Sequence, residues 1–65
     1  MSPQVRLANE IAVQFRHQAP EQAAAAIAEH IQAFWDPRMR AELLTRAESD
    51  PDALDPLALA AVQLL

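Results

Sequence analysis

Apolar residues recur along this chain at three- and four-residue spacing, and nowhere at the two-residue spacing of a half-buried strand. Val5, Ala8, Ile11, Ala12 and Phe15 make the first stripe, and Pro3 stands at its head, which predicts a helix over about 3–18. Leu7 and Val13 fall off that stripe, as scattered surface residues or as the edge of a second contact face. A second helix is predicted over about 20–35, opened by Pro20 with Glu21 in its first turn and carrying Ile27, Ile31 and Phe34 in register. Its alanine run, Ala23 to Ala26, gives the helix a thin face that another helix can approach closely, although alanine is also simply the best helix former. A third helix follows over about 37–48 with Met39, Leu43, Leu44 and Ala47 apolar, and a fourth over about 56–64 with Leu57, Ala60, Ala61 and Leu64. The last is apolar almost all round and should pack across the first helix or dock on a partner.

Proline does all the punctuation, at positions 3, 20, 37, 51 and 56, because the chain has no glycine. Two of these junctions read Asp-Pro. Asp36 can accept from the free N–H groups of the turn after it, and Pro37 at the first helical position forfeits no bond it could have made. Pro37 also biases Asp36 away from the helical region, so the second helix should stop near Trp35. Asp55-Pro56 repeats the signal, and Ser49-Asp50-Pro51-Asp52 reads as a turn or restart. The expectation is an all-α fold, a small bundle or open array of three to four short helices joined at Pro-marked turns, with residues 1–65 as one small domain.

Size strains that expectation. A domain of 65 residues buries only about 60% of its extended-chain surface. There is no cysteine for a disulfide or thiolate site, and His17 and His30 have no recognisable zinc spacing. Hydrophobic residues make up 52% of the chain, but 15 of the residues are alanine, whose burial removes little apolar area each. That composition favours stabilisation by association.

The segment best equipped for association is His30 to Arg40, which holds the single Trp, one of the two Phe and two of the five Arg. Trp, Arg and Met are enriched where proteins dock on proteins. Phe34 shares a stripe with Ile27 and Ile31 and is expected in the chain's own core; Trp35 can serve either the core or a partner. Arg38 and Arg40 project about 200° apart around a helix, so they cannot clamp one ligand together unless the turn is irregular. One can hold the corner while the other faces outward. His30, one turn before Phe34, reads as a packed or interface histidine.

Net charge is −4, from nine acidic residues against five Arg and no Lys. Nucleic-acid binding is therefore not expected, since a phosphate backbone calls for a basic footprint and stacking platforms. This also disfavours a free DNA-binding or antitoxin-like module. No run is long enough to span a membrane, and no basic stretch leads into an apolar one at the N-terminus, so the expected compartment is the cytoplasm. No glycine-rich loop exists to cradle a phosphate. The hydroxyls are confined to Ser2, Thr45 and Ser49, so no nucleophile is convincing, and no catalytic, cofactor-binding or metal-ligating residue is assigned.

The run Ala28 to Leu44, with His30, Phe34-Trp35-Asp36-Pro37-Arg38-Met39-Arg40 and Leu43, resembles the delta subunit of the bacterial soluble, NAD-dependent, molybdenum-containing formate dehydrogenases. The stretches Val5-Arg6-Leu7-Ala8-Asn9-Glu10-Ile11-Ala12 and Leu54-Asp55-Pro56-Leu57 extend the resemblance over most of the chain, while Ala47 to Ala53 is generic. The resemblance implies a non-catalytic accessory subunit of a complex that converts formate and NAD to carbon dioxide and NADH. It places the molybdenum cofactor, iron–sulfur clusters, FMN and NAD on other subunits. The implied partner is the large catalytic subunit, whose assembly or stability the chain would support; the alternative is a transient maturation factor assisting molybdenum cofactor insertion. The residues expected to meet the partner are Trp35, Asp36, Pro37, Arg38, Met39, Arg40, His30 and Leu57.

Overall fold

Each of the five prolines opens an element in the computed structural model, which describes residues 2–65. The elements are α1 (Pro3–Gln14), α2 (Pro20–Phe34), α3 (Pro37–Ser49), a 3₁₀ turn (Pro51–Ala53) and α4 (Pro56–Val62). The fold is all-α, with no strand among the described residues. Proline suits these positions because its fixed φ is already helical and its missing N–H would find no partner in the first turn. Three of the helix starts are also capped by a side chain: Ser2 Oγ accepts from the Val5 amide at 3.1 Å, Asp36 Oδ1 from Met39 at 2.8 Å and Asp55 Oδ1 from Leu57 at 2.9 Å. No described residue has a positive φ, so no helix ends on a left-handed cap.

Helix ends differ from the periodicity in one instructive way. The apolar stripe of α1 runs on to Phe15, yet the helix stops at Gln14 and the chain tightens, with amides of Phe15, Arg16 and Gln18 bonding three residues back. Pro20 requires Ala19 to be extended, at φ −57 and ψ 144, so the helix must unwind before it. Phe15 remains packed against the core from this tighter turn. The C-terminus behaves alike: α4 ends at Val62, and Gln63, Leu64 and Leu65 bond three residues back to Ala60, Ala61 and Val62.

All four helices feed one core. Val5, Ala8 and Ala12 come from α1, Ile27, Ala28 and Ile31 from α2, Leu43 and Ala47 from α3, and Ala58, Ala61 and Val62 from α4, with Trp35 and Leu54 between elements. Ile27, Ile31, Leu43 and Val5 are its largest fully buried side chains, each worth roughly 1.5–3 kcal/mol of burial. The apolar C-terminal helix finds its main support on α2 rather than on α1. Ala23, Ala24 and Ala28 of α2 and Ala58 and Ala61 of α4 are all buried, and such small side chains let the two backbones approach. The alanine run is thus a helix interface as well as a helix former.

Candidate functional site

The α2–α3 junction is a corner fixed from several sides. Trp35 leaves the helix with extended backbone, φ −94 and ψ 141, while its amide still bonds the Ile31 carbonyl at 2.9 Å. Asp36 caps α3, and Pro37 begins it. Arg40 reaches back from α3 and donates through Nη1 to the Trp35 carbonyl, which the end of α2 would otherwise leave without a helical partner. Of the two arginines, Arg40 therefore holds the corner. Arg38 is exposed and makes no hydrogen bond or ion pair among the described residues.

The two rings of the corner take opposite environments, and the expectation for Phe34 is overturned. Trp35 is 7% exposed and lies in the core, whereas Phe34, expected there, is 75% exposed. Two physical causes combine. The buried face of α2 drifts around the helix from Ala23, Ala24 and Ile27 to Ala28 and Ile31, which carries it away from position 34. Trp35 then sits beyond the last helical residue, where extended backbone and not helical spacing aims its side chain. Phe34 is instead covered on one side by His30, with ring centroids 4.8 Å apart and planes tilted by 40°. Met39 is half-buried against the core, as is Leu57, while Asp36 and Pro37 are exposed.

A second constellation joins the two ends of the chain. Asn9, in the middle of α1, donates through Nδ2 to the Ala53 carbonyl at 3.0 Å and accepts the Asp55 amide on Oδ1 at 2.7 Å. The Arg16 guanidinium donates to Asp55 Oδ2 at 2.6 Å. Hydrogen bonding from Arg16 holds the Asp55 carboxyl below the usual carboxylate range; partial burial opposes this, and the Leu57 amide and the charge of Arg16 reinforce it. The sequence reading took Asp55 as a cap alone. A signal for more was present in Asn9, since asparagine inside a helix is unfavourable unless its amide finds work elsewhere.

Two grooves on the surface do not gather chemistry. A shallow groove of about 480 Å³ is lined by Pro20, Glu21, Ala24, Ala25, Ala60 and Leu64, with Glu21 its only ionisable side chain. Another, of about 320 Å³, is lined by Ser2, Val5, Arg46, Asp50 and Ala53. Ser2 is engaged there as a cap and Arg46 is paired with Glu42. Among the described residues no group of three or more His, Cys, Asp or Glu is placed to hold a metal ion, and no helix is long and apolar enough to cross a membrane.

What the arrangement offers is a rigid corner with an aromatic ring on its outside and a latch joining α1 to the entry of α4. Residues 4–62 match the family described as NADH-dependent formate dehydrogenase delta subunit FdsD, a span that takes in both constellations. The chain belongs to this delta subunit family. No curated protein and no solved structure gives a significant match. The delta subunit is a component of an NAD-dependent formate dehydrogenase complex. In this delta subunit the three strings that carried the resemblance meet in two places: Asn9 from the first joins Asp55 from the last, and the central string forms the corner.

Proposed function

We propose that this chain is a non-catalytic subunit, acting as one small helical domain, that docks on the large catalytic subunit of a cytoplasmic formate dehydrogenase and supports its assembly or stability. The molybdenum cofactor, iron–sulfur clusters, FMN and NAD then reside on other subunits, and formate oxidation with NAD reduction takes place there. One observation carries the reading: Phe34 stands 75% exposed on a corner that Asp36, Pro37, Trp35 and Arg40 hold in shape. A large exposed aromatic on rigid backbone is an unusual use of apolar area for a chain with so small a core, and it fits a contact with another protein. The corner residues divide accordingly. Phe34, His30, Pro37 and Arg38 meet the partner, while Trp35, Asp36, Met39 and Arg40 shape the surface that does so; Leu57 acts through its packing on the core.

The test is copurification at native expression level. The tagged chain should bring down the catalytic subunit in a fixed ratio from active enzyme. Recovery only with cofactor-free enzyme would instead mark the chain as a transient maturation factor. Deleting the chain should lower the yield or lifetime of assembled enzyme, while the turnover of each intact catalytic subunit stays the same.

A further inference from the structure

Within the corner, every charged group except one is committed to the chain's own structure. The Asp36 carboxylate accepts from the Met39 amide, and the Arg40 guanidinium donates to the Trp35 carbonyl. Arg38 is left exposed and unpaired among the described residues, in a chain with nine acidic residues and only five Arg. Elsewhere Arg16 is paired with Asp55 and Arg46 with Glu42, while Arg6 on α1, away from the corner, is likewise exposed and unpaired among the described residues. Four residues before Arg38 stands Phe34, its ring in tilted contact with His30 at a centroid distance of 4.8 Å. Such a contact restricts an exposed side chain that would otherwise sample several rotamers, so less freedom is lost when a partner closes on it.

We infer that the corner is a two-part plug, in which Phe34 enters an apolar pocket on the partner protein and Arg38 pairs with a carboxylate at that pocket's rim. This rests on the docking reading above and specifies the chemistry of the surface that receives it. The charge assignment follows from complementarity. A basic or neutral rim would leave the guanidinium desolvated without a partner, whereas a carboxylate offers it two parallel hydrogen bonds. The apolar assignment follows from Phe34, whose ring has no polar handle and gains only by leaving water. Arginine is also among the side chains in which binding energy at interfaces concentrates.

The experiment uses formate dehydrogenase purified without its delta subunit and the full-length chain, with association measured at several salt concentrations. Phe34→Ala should weaken association about 30-fold, and Phe34→Leu should recover part of the loss. Arg38→Ala should weaken it about 5-fold at low salt and flatten its dependence on ionic strength. Arg38→Lys should keep the salt dependence, and Arg38→Glu should bind more weakly than Arg38→Ala. Circular dichroism of each variant separates loss of contact from loss of fold, and both positions are exposed. Wild-type association that survives Phe34→Ala and Arg38→Glu together would overturn the plug while leaving the docking reading intact. Failure of the wild-type chain to bind the enzyme at all would overturn both. A Phe34-dependent dimer of the chain itself, with enzyme binding unaffected, would assign the knob to self-association and overturn the proposal.

Discussion

The two Asp-Pro junctions, Asp36-Pro37 and Asp55-Pro56, begin with the same local chemistry and end in different roles. In both, the aspartate accepts from an amide of the following turn and the proline occupies the first helical position. Asp36 is exposed, and its carboxylate does no more than cap. Asp55 has a side chain 13% exposed and is gripped twice, through its amide by Asn9 of α1 and through its carboxylate by Arg16 in the turn after α1. A helix start thus becomes a display site or a staple according to partners far away in the sequence. The first junction presents Phe34 and Arg38 to the outside. The second closes the chain on itself.

Substitutions can separate these roles. The largest effect should come from Trp35→Ala, which empties the core behind the display corner and should lower stability by about 3–5 kcal/mol. In a domain this small that is enough to abolish a cooperative unfolding transition, which urea titration followed by circular dichroism would show. Next comes Asn9→Ala, which leaves the Asp55 amide and the Ala53 carbonyl without partners and should remove about 2 kcal/mol. Asp36→Ala takes away one exposed cap bond and should remove about 1 kcal/mol. Equal losses for Asn9→Ala and Asp36→Ala would collapse the distinction between staple and display.

Acid offers a gentler probe of the same contrast. The Asp55 carboxyl is held below the ordinary aspartate range in the folded chain, chiefly by its hydrogen bond from Arg16. Its contribution to stability is therefore present above the unfolded-state pKa and is lost as pH falls from that value through the depressed folded one. Arg16 is 59% exposed, so solvent screens the pair and the change should be small. Unfolding midpoints measured from pH 6 down to about pH 2 should fall more steeply for the wild-type chain than for Asp55→Asn. Parallel curves would show that the latch draws nothing from that charge. The smallest effect on stability should be that of Phe34→Ala, within about 0.5 kcal/mol, although the same substitution should be the most damaging to association. A large loss of stability there would mean that Phe34 belongs to the chain's own packing.

The elements were legible because proline and apolar spacing are local signals, and each of the five prolines opens an element. The caps at Asp36 and Asp55 were legible for the same reason. What escaped depends on information that spacing does not carry. Positions 34 and 35 both lie near the Ile27 and Ile31 stripe, and which ring goes inward is decided by the drift of the buried face along α2 together with the exit of the chain at Trp35. Asn9 and Arg16 lie 46 and 39 residues from the Asp55 groups they hold, so nothing near Asp55 announces them. The central string, by contrast, carried the family resemblance, and the match over residues 4–62 bears it out.

The absence of glycine and the five prolines also bear on the chain before it folds. Glycine enlarges the set of conformations open to an unfolded chain, and proline shrinks it, each by an amount worth roughly 0.4–1 kcal/mol per site. All the turns here are made with negative φ, so none of them needed the freedom that glycine would have added to the disordered ensemble. An alanine-rich core gains less from leaving water than a leucine-rich one, but this sequence also has less disorder to surrender. Small-domain stability can be approached from that side as well, and inserting a glycine at an exposed turn residue such as Ala19 would loosen the unfolded chain without touching a single core contact.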